Sequence, residues 1–189
     1  MTQPPGVEAF LGHLARALEN SDVDYAVVGS VASSFHGEPR GTQDVDIVAR
    51  ILRYDVAKLA IQFPEEDFYF DRDMVYDSLK SRQPFNIIDI HTMWKADIIL
   101  PSEPYAGEQL ARRQRVEISG VPIYIATAED TVISKMRWSK LAESERQLRD
   151  VAGIVRVRGD ALDRSLIAAL VARFGLEAEW ARVLGIAAG

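Results

Sequence analysis

The chain has 189 residues, a formal net charge of −6 and no cysteine. The absence of cysteine excludes a disulfide scaffold, a thiolate zinc site, an iron–sulfur cluster and a cysteine nucleophile. The acidic charge excludes a strongly basic nucleic-acid coat. No apolar run approaches the roughly 18–20 residues of a membrane span, and residues 1–6 lack the pattern of a signal peptide. We therefore expect a cytoplasmic protein without a membrane partner.

The first half of the chain mixes helical and extended patterns. Apolar residues repeat at helical spacing, and short apolar runs are stopped by Gly, Ser or Pro. The predicted elements are helices over residues 7–19, 31–36 and 54–63 and strands over residues 25–28, 45–48 and 68–70. The segment from residue 71 to residue 84 carries no predicted element.

The second half begins with strands and ends with helices. Strands over residues 85–91 and 96–100 are spaced as a hairpin, and strands over 115–119 and 121–125 flank Gly120 as a second hairpin. The predicted helices cover residues 105–113, a segment beginning at Thr127, and residues 146–157, 163–174 and 177–184. This order predicts an α+β domain of residues 1–126 and a helical segment of residues 127–189 packed on it.

Two acidic residues stand out on the strand predicted at residues 45–48. Asp44 and Asp46 are two positions apart, so both side chains project from the face opposite Val45 and Ile47. Two like charges this close repel each other unless a cation lies between them. Hard divalent ions that prefer oxygen ligands, Mg²⁺ or Mn²⁺, therefore fit this pair.

A phosphate-binding turn is predicted upstream of the acidic pair. The apolar strand ends at Gly29-Ser30, where a helix begins. Glycine allows the backbone to approach a ligand, and amides at the helix start can hold phosphate oxygens, with the Ser30 hydroxyl as a further donor. A phosphate cradle beside a carboxylate-bound metal indicates phosphoryl or nucleotidyl transfer.

These motifs resemble those of a known superfamily. Gly29-Ser30 followed by Arg40-Gly41-Thr42-Gln43-Asp44-Val45-Asp46-Ile47 is similar to the first signature of the nucleotidyltransferases, which have the polymerase-beta-like fold. The pattern agrees best with the minimal nucleotidyltransferases that include the AbiEii-type abortive-infection toxins. Later segments agree in order: Lys95-Ala96-Asp97, Glu129-Asp130 with Lys135, and Arg146-Gln147-Leu148-Arg149-Asp150. The resemblance implies a mixed β-sheet flanked by helices.

The resemblance also implies the metal ligands. Asp44 and Asp46 would coordinate the Mg²⁺ or Mn²⁺ ion that carries a nucleoside triphosphate (NTP). Asp97 would complete the metal site and act as, or near, the general base that deprotonates an acceptor hydroxyl. Asp89, on the partner strand of the predicted hairpin, is the rival third carboxylate.

A second set of residues is assigned to the nucleotide. Gly29 and Ser30 would hold the β- and γ-phosphates, and Lys135 would steady the triphosphate. Asp150 would orient Lys135 or bind near the nucleotide; the alternative for this pair is a surface ion pair that contributes little to stability. The residues assigned to nucleotide and phosphate binding are Gly29, Ser30, Arg40, Thr42, Lys135 and Asp150.

The sequence therefore predicts a metal-dependent nucleotidyltransferase that moves a nucleoside monophosphate from an NTP to an acceptor hydroxyl. The acceptor is an RNA or tRNA end, a protein side chain or a small molecule such as an aminoglycoside. A toxin–antitoxin or phage-defence role, with an antitoxin partner, is implied by the resemblance alone. The main alternative is a catalytically inactive nucleotide-binding or protein-interaction module of the same fold. A phosphatase or nuclease would explain the carboxylates but not the Gly-Ser turn.

Overall fold

The computed structural model describes residues 6–42, 44–101 and 103–189. The chain divides into two compact units: the first extends to Val28 and resumes over Thr42–Ile125, and the second comprises Gly29–Gly41 and Ala126–Gly189. In chain order the helices are α1 Val7–Asn20, α2 Gly29–His36, α3 Asp55–Gln62, α4 Arg72–Ser81, α5 Pro104–Arg112, α6 Ala128–Ala142, α7 Glu145–Arg158, α8 Arg164–Phe174 and α9 Glu177–Ala188.

The first unit is built on one mixed sheet of seven strands within the described residues. The strands are β1 Asp24–Val27, β2 Asp44–Arg50, β3 Phe68–Tyr69, β4 Phe85–Asp89, β5 Lys95–Ile99, β6 Gln114–Ile118 and β7 Val121–Ile125. Their order in the sheet is β3-β4-β5-β2-β1-β7-β6. Strands β2 and β5 are parallel, as are β1 and β7, whereas the hairpins β4–β5 and β6–β7 are antiparallel. The predicted α+β fold, mixed sheet and hairpins are confirmed.

Helices of the first unit cover the sheet with their apolar faces. Helix α1 buries Phe10, Leu11, Leu14 and Leu18 and packs on β1 and β7. Helix α5 packs on β1 and β2. The 3.6-residue spacing of the apolar residues in α1 predicts this buried face, and the structure confirms it.

Helix α4 lies in the segment for which the sequence predicts no element. The Asp71 carboxylate accepts hydrogen bonds from the amides of Asp73 and Met74, which caps the helix start. Only Val75 and Ser78 of this helix are buried, so its apolar periodicity is weak. The aspartate cap is the sequence signal that identifies the helix.

Strand β2 places the predicted metal ligands. Val45 and Ile47 are fully buried, whereas Asp44 and Asp46 on the alternate positions are half-buried. The strand is central in the sheet, so its inward residues are held by neighbours on both sides. The predicted alternation is confirmed, and it fixes both carboxylates on one face.

The second unit is helical. Helix α2 packs on α6 and α7, while α7 also packs on α9. Thr127, where the sequence predicts a helix to begin, caps α6 by accepting a hydrogen bond from the amide of Asp130 at 3.1 Å. The end of α2 lies close to α7. A Cβ added at Gly37 would be 2.7 Å from the backbone nitrogen of Ile154, so only glycine fits at this position.

The two compact units differ from the predicted domains, which are residues 1–126 and 127–189. The helical unit starts at Ala126 and also contains Gly29–Gly41. The assignment of catalytic function to residues 1–126 stays a prediction, because a compact unit does not test activity. None of the helices in the described part of the chain has the length and apolar character that a membrane crossing requires.

Candidate active site

Three predicted metal ligands lie on the adjacent parallel strands β2 and β5. Asp46 is the direct neighbour of Asp97, and Asp44 is the direct neighbour of Lys95. Adjacent strands are about 4.8 Å apart, and residues two positions apart share a face. The register therefore brings the three aspartates and Lys95 together in the first unit.

The ammonium group of Lys95 lies between two of these carboxylates. Its Nζ is 3.1 Å from Oδ1 of Asp97 and 3.7 Å from Oδ1 of Asp44. The hydrogen bond to Asp97 raises the pKa of Lys95 above its ordinary value, despite the opposing effect of burial. Oδ1 of Asp97 is buried, and its contact with Lys95 is an ion pair without hydrogen-bond geometry. The carboxylates thus already gather round one positive charge.

The donor chemistry of this cluster fits a hard divalent cation. Carboxylate oxygens are the ligands that Mg²⁺ and Mn²⁺ prefer, and Oδ1 of Asp97 is a buried acceptor that is held here by the Lys95 ion pair. Within the described residues, no group of three or more His, Asp or Glu side chains is already arranged as a metal cluster. A metal ion would therefore take over contacts that Lys95 makes here.

Asp89, the rival third carboxylate, has a different environment. It accepts hydrogen bonds from the amides of His91 and Thr92 in the turn between β4 and β5. Burial raises the pKa of Asp89, but these amide bonds outweigh burial and hold the pKa below its ordinary value. Asp89 therefore stabilises the turn, whereas Asp97 lies beside Asp46 in the strand register.

Thr42 is hydrogen-bonded to the first residue of β2. Its hydroxyl donates to the carbonyl oxygen of Asp44 at 2.9 Å. This bond shapes the backbone that carries the first aspartate. Gln43, which belongs to the same motif, lies outside the described residues.

The remaining predicted residues meet in the second unit. Arg40 donates from Nη2 to the Ser30 hydroxyl at 2.6 Å, and its Nε is 3.5 Å from Oδ1 of Asp150. Lys135 donates to Oδ2 of Asp150 at 2.7 Å and to the amide oxygen of Gln147 at 2.9 Å. The structure thus joins Ser30, Arg40, Lys135 and Asp150 in one network.

This network is not a surface ion pair. The side chains of Lys135 and Asp150 are 5% and 12% exposed. The alternative of a solvent-exposed pair is therefore wrong, because α6 and α7 enclose both groups. Nε of Arg40 is buried, and its contact with Oδ1 of Asp150 is an ion pair without hydrogen-bond geometry.

Gly29 has the backbone conformation that its predicted role requires. Its φ angle is +61°, in the left-handed region that glycine adopts without steric cost. It is the first residue of α2, so the chain turns from strand to helix there. The amides that follow are at the positive end of the helix dipole.

His36 belongs to the same unit and was not among the predicted site residues. Its Nε2 is 2.7 Å from the carbonyl oxygen of Ala126, and Nη2 of Arg158 lies 2.8 Å from its Nδ1. Nε2 is therefore the protonated nitrogen and Nδ1 the acceptor. Burial, with a smaller effect of Arg158, lowers the pKa of His36. Its partners are 90 and 122 positions away along the chain, which no local pattern could indicate.

We expect His36 to make stability depend on pH. The folded state holds His36 neutral, whereas the unfolded chain protonates it below a pKa of about 6.5. The free energy of unfolding should be constant above about pH 7 and should fall as the pH drops through about 6.5. Urea midpoints across this range measure the effect.

The matched control for this prediction is His91, which is exposed and pairs with Asp67. His36→Gln should remove the fall in stability near pH 6, whereas His91→Gln should leave it unchanged. An identical pH profile in wild type and His36→Gln would contradict the assignment.

Comparison with known proteins identifies the fold. No family model matches the chain, and no curated protein matches it in sequence. An antigenic nucleotidyltransferase-like protein from Paracoccidioides brasiliensis has a similar structure, with a TM-score of 0.57 at 17% identity over 95% of this chain and 92% of its own. ANT(2″)-Ia in complex with adenylyl-2″-tobramycin gives a TM-score of 0.59 at 11% identity over 89% and 98% of the two chains.

A further similar structure extends this result. A candidate nucleotidyltransferase from Thermotoga maritima gives a TM-score of 0.52 at 15% identity over 77% of this chain and 92% of its own. These similarities extend over most of each chain. The chain therefore has the fold seen in nucleotidyltransferase-like proteins.

Proposed function

We propose that the protein is a metal-dependent nucleotidyltransferase. It would transfer a nucleoside monophosphate from an NTP to an acceptor hydroxyl and release pyrophosphate. The observation that carries this proposal is the arrangement of Asp44 and Asp97 around one cation, beside Asp46, on adjacent strands of a nucleotidyltransferase-like fold.

The three aspartates are proposed to hold Mg²⁺ or Mn²⁺. When bound, the metal supplies charge stabilisation for the phosphates of the NTP. Asp44 and Asp46 present their carboxylates from one strand, and Asp97 completes the set from its neighbour. Lys95 would then release the carboxylates, and its ammonium group would be free to contact a phosphate.

Asp97 is also proposed as the general base. Oδ1 of this residue is buried and contacts the Lys95 ammonium at 3.1 Å, a contact that Lys95 would give up when the metal binds. A hydroxyl group of the acceptor can donate to this oxygen and lose its proton there. In-line positioning of the acceptor against the α-phosphate would supply much of the remaining rate.

The network in the second unit is proposed to bind the triphosphate. Gly29 and Ser30 offer backbone amides and a hydroxyl, and Arg40 and Lys135 offer positive charge. Asp150 orients both cations at 3.5 and 2.7 Å. Two cations on one carboxylate leave one positive charge in excess, which suits a phosphate group.

The proposal also includes the chemical class of the acceptor and the biological role. ANT(2″)-Ia is described in complex with adenylyl-2″-tobramycin, which supports an aminoglycoside-like hydroxyl as one acceptor. The net charge of −6 would favour a cationic acceptor. An RNA end and a protein side chain are the other acceptors to test. The AbiEii-type branch and the antitoxin partner rest on the sequence motifs alone, and the cytoplasmic location stays a prediction from the sequence.

Calorimetric titration of the four NTPs tests the proposal. We expect binding that requires Mg²⁺ and that is lost in the Asp44→Ala/Asp46→Ala variant. Ser30→Ala should weaken NTP binding by about tenfold, because it removes a hydrogen bond to a charged group. Ser165→Ala is the matched control, since Ser165 is exposed on α8 of the same unit. The proposal would be contradicted if removing Mg²⁺ and replacing the two aspartates both left the NTP affinity unchanged.

A catalytically inactive binding module is the second candidate. The observation that favours it is Lys95, whose ammonium group already neutralises Asp44 and Asp97. In such a protein the carboxylates would have a structural partner and would need no metal. Titration with Mn²⁺ alone distinguishes the two candidates: an active enzyme binds Mn²⁺ through the aspartates, whereas the inactive module does not.

A further inference from the structure

A second feature of the first unit is a basic pocket at the far end of β2. The pocket has a volume of about 480 Å³ and lies between the segments that follow β2 and β5 and the end of α4. Four cations line it, and no Asp or Glu is among its described lining residues. The cations are Arg50, Arg53, Lys80 and Arg82. In a chain with a net charge of −6, this concentration of positive charge is unusual.

The four cations are available to a ligand. Arg53 and Arg82 have no acidic partner among the described residues; Arg82 donates to the carbonyl oxygen of Pro101 at 3.0 Å. Lys80 pairs with Asp77 on an exposed helix face. Arg50 shares Asp24 with Arg113, which holds that carboxylate at 2.7 Å compared with 3.3 Å for Arg50. Exposed pairs of this kind are weak, so a phosphate could displace them.

The pocket also offers planar and apolar surface. The guanidinium of Arg53 lies 4.6 Å from the ring centre of Tyr76, a cation–π contact that favours this position of the side chain. Ile51 and Leu100 are buried behind the pocket, and Leu52 is 46% exposed at its rim. A planar base can stack on an oriented guanidinium or on exposed apolar surface. The volume is within the range of small-molecule sites.

The pocket is separate from the aspartates. Asp44 and Arg50 are the first and last residues of β2. Asp46, the aspartate of β2 nearer to Arg50, is four positions from it, which is about 13 Å of extended strand. None of the three aspartates lines the pocket, so a ligand confined to the pocket does not contact them.

We propose that this pocket binds the phosphate and base of a nucleotide, supplied either by a single-stranded nucleic acid or by a free nucleotide. The cations recognise the phosphate, and Arg53, Tyr76 and Leu52 contact the base. This inference does not depend on the proposed transferase activity, because the pocket requires neither the metal nor the carboxylates.

Fluorescence anisotropy with a labelled single-stranded oligonucleotide, in EDTA, tests the proposal, and unlabelled AMP and ATP serve as competitors. We expect Arg53→Ala and Arg82→Ala each to weaken binding by about tenfold. Each should also reduce the salt dependence by about one released counterion. Arg53→Lys should restore only part of the affinity, because lysine keeps the charge but loses the planar stack.

Arg72→Ala is the matched control, since Arg72 is exposed on α4 outside the pocket. It should retain wild-type affinity, as should Asp44→Ala/Asp46→Ala. Displacement of the strand by AMP or ATP identifies a free-nucleotide site, and binding of the strand without displacement identifies a nucleic-acid site. The proposal would be overturned by no binding of any probe, by equal losses in Arg53→Ala, Arg82→Ala and Arg72→Ala, or by a loss in the aspartate variant.

Discussion

We expect Asp46→Asn to reduce nucleotidyl transfer by about a thousandfold. Asp46 lies directly opposite Asp97 on the neighbouring strand. The substitution keeps the shape of the side chain but removes one of the charges that would hold the metal. Because the strand neighbours Val45 and Ile47 stay buried, the fold should be retained. The effect should therefore appear in activity and not in stability.

Pyrophosphate release measures this effect, with Mg²⁺, the NTP that the wild type binds, and a panel of RNA, protein and aminoglycoside acceptors. Asp77→Asn is the matched control, because Asp77 is exposed on α4 and contacts Lys80 only through a weak pair. It should keep the wild-type rate. Wild-type turnover by Asp46→Asn would rule out the proposed metal site, whereas turnover by neither protein would favour the inactive module.

The second large effect concerns the buried pair in the helical unit. Asp150→Ala should lower the free energy of unfolding by about 3 kcal/mol, because it leaves the Lys135 ammonium buried without a counter-charge. Lys135 is 4% exposed, and Gln147 would be its remaining hydrogen-bond acceptor among the described residues. Arg40 would lose the same carboxylate. Urea unfolding followed by circular dichroism measures the change.

Two further variants test whether the loss of stability in Asp150→Ala comes from the unpaired buried charge. Lys135→Met in the Asp150→Ala background removes the orphaned charge and should recover much of the lost stability. Glu145→Ala breaks the exposed pair with Arg182 and should cost less than about 1 kcal/mol. If Asp150→Ala costs no more than Glu145→Ala, the pair is not a buried electrostatic unit.

These two predictions separate catalysis from stability. Asp46 lies on a sheet whose register is maintained by buried neighbours, so we expect its replacement to change the chemistry and not the fold. Asp150 links helix α7 to α6 through Lys135 and to the segment after α2 through Arg40. Its replacement should therefore destabilise the helical unit even when no ligand is bound. Nucleotide binding by Asp150 variants should be measured only on protein shown to be folded.

Most secondary structure could be predicted from local patterns, and the exceptions have clear causes. The apolar stripe of α1 and the alternation of β2 are repeats within a few residues, which local sequence encodes directly. Helix α4 has only two buried residues, Val75 and Ser78, so its periodicity was too weak to predict. The burial of Lys135 and Asp150 was equally inaccessible, because it depends on two helices that enclose both side chains.

For the candidate site, the sequence by itself determined which carboxylates share a face. Asp44 and Asp46 are two apart on a strand, and strand geometry requires their side chains to lie together. It also determined the hairpins and the capped start of α6, since turns and caps involve neighbouring residues. The tertiary structure alone decided that β5 pairs in parallel with β2, which places Asp97 beside Asp46 and inserts Lys95 next to Asp44. Strand pairing depends on contacts between residues about 50 positions apart, and such contacts leave no periodic signal in the chain.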